Sequence, residues 1–272
     1  MMIDFKNISL NVEHLSEFDK EKSTILFLHG FTGKSVDWKD VAEQVDERFN
    51  KIALDLVGHG KSSSPADIQY YKIESMIDQI DHILSYLSLK KIILIGYSMG
   101  GRVALSFAIE KSDFIKGLIL ESTTAGIKSE KERTERKNSD DELAAYLEKN
   151  NFESFIDKWL DKEIFGTIRR FSNVKIKTIK EEKLKNSRAG LANSLRGFGT
   201  GNMDYLGDKL SELKMPVLLL SGQLDSKFTK LNAEMQKQIP NSKHVVVSNA
   251  GHNIHLEEQK KFVKAINKFL IP

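Results

Sequence analysis

The chain has 272 residues, 40% of them apolar and 29% charged, with a formal net charge of +3 and no cysteine. That length buries a sizeable core and suits a single globular domain carrying an insertion. The composition excludes disulfides and thiolate metal sites, offers no run of about 18 apolar residues to span a membrane, and gives no reason to expect nucleic acid or an anionic membrane as partner.

At the N-terminus, Met1-Met2-Ile3-Asp4-Phe5 lacks a basic start followed by an apolar core, so no signal peptide is expected and the cytoplasm is the expected location. Phe5 to Val12 alternates loosely and predicts one early antiparallel strand. Thr24 to Leu28 is continuously apolar, the mark of a strand buried on both faces, and leads into the loop His29-Gly30-Phe31-Thr32-Gly33. The spacing from Trp38 to Phe49 predicts a helix. Lys51 to Leu54 predicts the next strand, entering Asp55-Leu56-Val57-Gly58-His59-Gly60-Lys61-Ser62, where His59 is expected to organise the loop by hydrogen bonding. Ile73, Met76, Ile77, Ile80, Ile83, Leu84 and Leu87 form a helical stripe that covers the sheet, with His82 on its polar face.

Ile92 to Ile95 is a second buried-strand run, followed by Gly96-Tyr97-Ser98-Met99-Gly100 and a helical pattern from Val103. This G-x-S-x-G stretch between strand and helix is a nucleophile elbow: the serine sits on a strained turn with positive φ, and the flanking glycines let strand and helix close around it. Phe114 to Leu120 predicts another strand, ending at Glu121. The character then changes, because residues 127 to 190 hold 16 Lys/Arg against 13 Asp/Glu, with helical patterns and no strand runs. An α/β fold follows, with core residues 1–125 and 210–272 and a helical cap, 126–209, over the site. Met215 to Leu220 resumes the sheet before Ser221-Gly222-Gln223-Leu224-Asp225. His244 to Val247 is the last strand, before Ala250-Gly251-His252, and Phe262 to Leu270 predicts a closing amphipathic helix.

A serine base or nucleophile needs an imidazole within hydrogen-bond reach and a carboxylate to fix its tautomer. Ser98, Asp225 and His252 occur in the chain order of α/β-hydrolases, each just past a strand. Glu121 is a rival acid and His244 and His255 are rival bases; the G-x-x-D turn after the Pro216 strand favours Asp225, and Ala-Gly-His favours His252. The H-G-F stretch falls at the position that supplies an oxyanion donor in the same superfamily, assigning the two donors to the backbone amides of Phe31 and Met99.

The elbow with Gly101-Arg102, the cap start Ala125 to Lys128, the stretch Gly190 to Gly201 and Gly222 to Phe228 together resemble the 2-succinyl-6-hydroxy-2,4-cyclohexadiene-1-carboxylate synthases of menaquinone biosynthesis. The resemblance covers nearly the whole chain and implies an α/β-hydrolase fold and a lyase that eliminates pyruvate from 2-succinyl-5-enolpyruvyl-6-hydroxy-3-cyclohexene-1-carboxylate, with no cofactor and no metal. A serine carboxylesterase or C–C bond hydrolase with the same triad is the alternative. A substrate with three carboxylates calls for arginines, whose planar fork suits carboxylates. Arg102, one helical turn after Ser98, is the first candidate, with a salt bridge to a core loop as its structural alternative. In the cap, the resemblance assigns Arg136 and Trp159 to the substrate, Arg133 lies one turn before Arg136, and Tyr97 joins them from the elbow; Lys183, Arg188 and Arg196 are weaker candidates. The protein is expected to act as a monomer or homodimer on this small tricarboxylate.

Overall fold

The computed structural model describes residues 1–271. Its centre is β3 (Ser23–Leu28), hydrogen-bonded in parallel to β4 (Phe49–Leu54) on one side and β5 (Ile92–Tyr97) on the other. Every residue of β3 after Ser23 is buried, and the alternation is two-sided: Leu26 and Leu28 enter one hydrophobic cluster, Ile25 and Phe27 the other. A strand with apolar residues on both faces has no place except between two helical layers. The sheet continues with β6 (Ile115–Glu121), β7 (Val217–Gly222) and β8 (Ser242–Val247), all parallel, in the order β1-β2-β4-β3-β5-β6-β7-β8.

The N-terminal segment is a hairpin rather than the single strand expected, with β1 (Met2–Phe5) and β2 (Ile8–His14) antiparallel to each other and β2 antiparallel to β4. The turn needs Lys6 at a φ of 53°, and the loose alternation concealed it because both strands bury apolar residues on the same cluster. The helix expected from Trp38 to Phe49 also shortens, to α1 (Lys39–Ala42) after a 3₁₀ turn. Asp46 there accepts hydrogen bonds from the backbone and side chain of Arg48, a local turn that competes with the helix.

Helices α2 (Ile73–Tyr86) and α3 (Met99–Glu110) cover one face of the sheet, and α1 and α10 (Gln259–Leu270) the other. His82 sits at the margin of α2, its Nε2 against the Asp4 carbonyl at 2.8 Å. Between β6 and β7 run α4 (Glu130–Lys149), α5 (Phe152–Leu160), α6 (Asn173–Lys183) and α7 (Arg188–Phe198), with a 3₁₀ segment at Glu163–Arg170. Leu143, Leu147, Phe155, Ile156, Leu191 and Leu195 give this insertion a small core of its own. Helix α7 also lies close on the main body: a Cβ on Gly190 would come within 2.3 Å of the Gly58 carbonyl oxygen. After β7 come α8 (Ser226–Gln238) and, beyond β8, the short α9 (Ile254–Glu257).

Candidate active site

The parallel strands end along one edge, and the loops leaving that edge bring the chemical groups together. Ser98 joins β5 to α3 at φ 50° and ψ −106°, well outside helix or strand. Such a conformation persists only when its surroundings hold it. Here β5 and α3 are pressed together: a Cβ on Gly96 would lie 2.4 Å from the Gly100 carbonyl oxygen, and one on Gly100 would lie 2.4 Å from the carbonyl oxygens of Leu28 and His29. The Ser98 amide donates to the Glu121 carbonyl at 2.9 Å, and Thr123 Oγ1 donates to the Ser98 carbonyl at 2.9 Å. The hydroxyl is thereby held above the sheet at the start of a helix, whose first amides have no partner within the helix.

His252 reaches Ser98 from the loop after β8. Its Nε2 is 3.0 Å from Ser98 Oγ, and its Nδ1 is 2.7 Å from Asp225 Oδ2. The other carboxylate oxygen, Oδ1, caps α8 by accepting the Phe228 amide at 3.1 Å, so the acid cannot swing away from the ring. The His252 loop has its own clamp in Glu257, which accepts the amides of Gly251 at 2.7 Å and Asn253 at 3.2 Å, the residues on either side of the imidazole.

The rivals pair with each other. Glu121 accepts both the amide and Nδ1 of His255, at 3.0 and 2.7 Å, in a buried strut beneath Trp38 and Tyr97. His244 lies within β8 against Ser221 Oγ at 2.7 Å. His59 is buried, with Nδ1 3.2 Å from the Val57 carbonyl oxygen, and burial foremost, then His29, pushes its pKa down to about 3. It stays neutral and holds the loop. Asp55 does more there than sequence suggested, accepting the amides of Ser35 and Lys61 and the side chain of Asn11.

Met99 is the first residue of α3, and the Phe31 amide has no hydrogen-bond partner among the described residues. Both residues border a cavity of about 110 Å³ beside Ser98, together with Tyr97, Arg102, Arg136, Trp159, Ser194, Phe165, Lys227 and Phe228. The cavity joins two unlike walls. Around His252 it is aromatic, with Phe228 at 4.6 Å, Tyr97 at 5.4 Å and Phe165 at 6.0 Å between ring centroids. Burial, followed by the charges of Glu121, Glu257 and Asp225, keeps Tyr97 protonated well above its ordinary range.

The opposite wall is cationic. Arg102 is 8% exposed, donates to the Phe198 carbonyl at 2.8 Å and lies 4.7 Å from the Phe198 ring centroid. It makes no ion pair among the described residues, so the core salt bridge considered for it is absent. Burial and then Arg136 lower its pKa to about 9, with Asp140 acting in the opposite direction. Arg136 spends Nε on Asp140, at 2.9 Å. Trp159 also lines this cavity, and its buried indole N–H has no partner among the described residues.

The other expected cations go elsewhere. Arg133 turns back along α4, as helical side chains do, to the Ile127 carbonyl at 3.4 Å, and does not line the cavity. Arg188 caps the end of α4 through the carbonyls of Leu147, Glu148 and Asn150, and Arg196 forms a two-pronged pair with Glu148 at 2.5 and 2.8 Å. Lys183 contacts Thr32 Oγ1 at 3.0 Å outside the cavity. Sequence reasoning passed over Lys227, Phe165 and Phe228 as wall residues. Lys227 and Phe228 stand in the first turn after the acid, a position that could have exposed them; Phe165 lies in a 3₁₀ stretch with no distinctive signal.

The model of the alpha/beta hydrolase fold matches residues 23–259. The chain is 38% identical over 247 residues, 90% of its own length and 89% of the relative's, to the putative 2-succinyl-6-hydroxy-2,4-cyclohexadiene-1-carboxylate synthase of Bacillus subtilis. The chain belongs to the α/β-hydrolase family, in its 2-succinyl-6-hydroxy-2,4-cyclohexadiene-1-carboxylate synthase group. Among solved structures, MenH from S. aureus matches with a TM-score of 0.90 at 35% identity, covering 96% of this chain and 97% of that one. A thermophilic esterase from Thermogutta terrifontis, solved with malate bound, matches at 0.84 with 29% identity over 97% and 93% of the two chains. Family membership thus leaves lyase and esterase chemistry on closely related frames, and the site must separate them.

Proposed function

We propose that the protein eliminates pyruvate from 2-succinyl-5-enolpyruvyl-6-hydroxy-3-cyclohexene-1-carboxylate, forming 2-succinyl-6-hydroxy-2,4-cyclohexadiene-1-carboxylate. The observation that carries this reading beyond family membership is Arg102. A guanidinium buried beside the candidate base, without a carboxylate of its own, is costly to the fold unless a ligand supplies the counter-charge. An ester hydrolase acting on neutral substrates has no use for it; a tricarboxylate does. Arg136, Lys227 and the Trp159 N–H add donors on the same cavity.

In this reaction Ser98 serves as a base. His252, oriented by Asp225, takes the hydroxyl proton as Ser98 Oγ removes the ring hydrogen next to the succinyl carbonyl. The electron pair released forms a double bond at that carbon, the ring double bond shifts by one position, and the ring C–O bond to the enolpyruvyl group breaks. Pyruvate leaves as its enolate and regains a proton on carbon. Negative charge gathers on the succinyl carbonyl oxygen in the transition state, where the Phe31 and Met99 amides would meet it. No acyl-enzyme forms. General-base catalysis is worth about 10²–10⁴-fold, so positioning by the cationic wall and charge stabilisation by the amides carry the remainder. Residues 126–209 act as the cap that closes over this substrate, in an enzyme that works in the cytoplasm.

The esterase reading keeps one specific support, the likeness to the Thermogutta terrifontis esterase. One experiment separates the two. The purified protein is given the enolpyruvyl substrate, with pyruvate release followed, and in parallel short p-nitrophenyl esters. The lyase reading expects turnover of the first with ester hydrolysis slower by orders of magnitude. Rapid ester hydrolysis with no pyruvate would overturn it.

A further inference from the structure

The segment between α6 and α7 holds the loop that carries Phe31. Asn186 is 7% exposed, and its side-chain amide donates to the Thr32 carbonyl at 3.0 Å while its oxygen accepts the Gly60 amide at 2.9 Å. It therefore ties the loop after β3 to the loop after β4 from a third element. Three residues earlier, Lys183 Nζ donates to Thr32 Oγ1 at 3.0 Å, and Lys34 Nζ meets Glu182 at 2.5 Å. Thr32 is thus gripped at both its carbonyl and its side chain by one stretch of the insertion.

Thr32 needs that grip. The turn Gly30 to Gly33 closes through the Gly33 amide and the Gly30 carbonyl at 2.9 Å, with Thr32 at a φ of 65°. Positive φ is a genuine outlier for a β-branched residue, and a turn of this kind ordinarily takes glycine or asparagine there. Left alone, the loop gains by relaxing to negative φ at Thr32. That relaxation moves the neighbouring Phe31, whose ring already rests on Trp159 of the insertion at 4.9 Å.

We propose that Asn186 is a positioning residue for the reaction: by bridging Thr32 and Gly60 it holds the oxyanion loop in its strained turn, so that the Phe31 amide is aimed at the developing oxyanion only while the helical insertion is seated. The inference rests on the reading of Phe31 and Met99 as oxyanion donors and not on which substrate the enzyme takes. Asn186 touches no reacting atom. Its effect passes through Thr32.

The test uses a fluorophosphonate, which Ser98 attacks with loss of fluoride and whose phosphoryl oxygen occupies the oxyanion position. In Asn186→Ala the second-order rate of Ser98 phosphonylation should fall about tenfold or more, a fraction of the 10²–10³-fold that follows loss of a whole oxyanion donor. With the enolpyruvyl substrate, kcat should fall in step while KM stays within about twofold. Asn186→Asp keeps the acceptor for Gly60 but turns an oxygen toward the Thr32 carbonyl, and should be equally slow. Thr32→Gly in the Asn186→Ala background should recover most of the rate, because glycine adopts φ 65° without strain. Arg188→Ala, which unties α4 within the same insertion, should lower Tm and leave the phosphonylation rate alone.

A phosphonylation rate in Asn186→Ala within twofold of the parent overturns the proposal. So does an equal loss in Arg188→Ala, which would trace the effect to general loosening. Should Asn186→Ala fail to fold, Lys183→Met applies the same test through Thr32 Oγ1, and an unchanged rate there is equally fatal. A parent protein that is not phosphonylated at Ser98 would instead overturn the triad reading itself.

Discussion

The two walls of the cavity are built by different means. On the sheet side, Ser98, Asp225 and His252 stand on loops leaving the parallel strands β5, β7 and β8, and each is fixed through backbone groups: the elbow by tight β5–α3 contact, the acid by accepting an amide at the start of α8, the imidazole by the Glu257 clamp on its flanking amides. On the insertion side, position depends on long side chains that choose among partners. Of its arginines Arg136 faces the cavity, beside Arg102 from the core helix α3, while Arg133, Arg188 and Arg196 satisfy carbonyls or Glu148. Chemistry that tolerates little displacement is placed by the rigid part, and recognition of charge is shared between Arg102 on the rigid part and Arg136 on the adaptable one.

Breaking the rigid side should have the largest effect. In Gly100→Ala the new methyl group meets two backbone carbonyls at 2.4 Å, neither of which can rotate away, so little folded protein should be recovered and any that remains should melt far below the parent. Asp225→Asn should fold normally yet lose about 10³–10⁴-fold in kcat, because the amide favours the wrong imidazole tautomer. Glu121→Gln is its counterpart. It weakens the His255 strut and should show in Tm more than in kcat; a larger kcat loss than that of Asp225→Asn would reverse the choice of acid.

The recognition side should respond more selectively. Truncating a buried arginine that pairs with a ligand carboxylate costs about 2–5 kcal/mol, so Arg102→Ala should lower kcat/KM for the tricarboxylate by roughly 30-fold or more. Residual hydrolysis of a neutral p-nitrophenyl ester should barely change, and Tm should move by less than about 4 °C, the shift that 1 kcal/mol produces in a chain of this size. Equal losses on both substrates with a much lower Tm would make Arg102 a structural residue.

The pH dependence sharpens the same point. With its pKa lowered to about 9, Arg102 is charged at neutral pH but disfavoured in that form by the fold, and the penalty is relieved as pH rises through about 9. A bound carboxylate favours the charged form. KM for the tricarboxylate should therefore rise above pH 9, by at most about tenfold per unit, while KM for a neutral ester stays flat. The smallest effects belong to Arg188→Ala and Arg196→Ala, expected to keep kcat/KM within about twofold and to lose only stability, since exposed pairs such as Arg196–Glu148 are worth about 1 kcal/mol or less.

Sequence by itself determined the alternation of buried strands and helices, the elbow, and the order of serine, acid and histidine, because each of these is written in local periodicity or in turn chemistry that few residues satisfy. It did not separate the β1–β2 hairpin, whose strands share one buried face, nor the short α1, where Asp46 outcompetes the helix. Only the tertiary structure decided that Glu121 belongs to His255 and Asp225 to His252, that Arg133 turns from the cavity while Arg136 lines it, and that Asn186 reaches Thr32 across 154 residues of chain. The reason is physical: a strand or an elbow is specified by its neighbours in sequence, whereas a charged or amide side chain takes whichever partner the packed chain brings within about 3 Å.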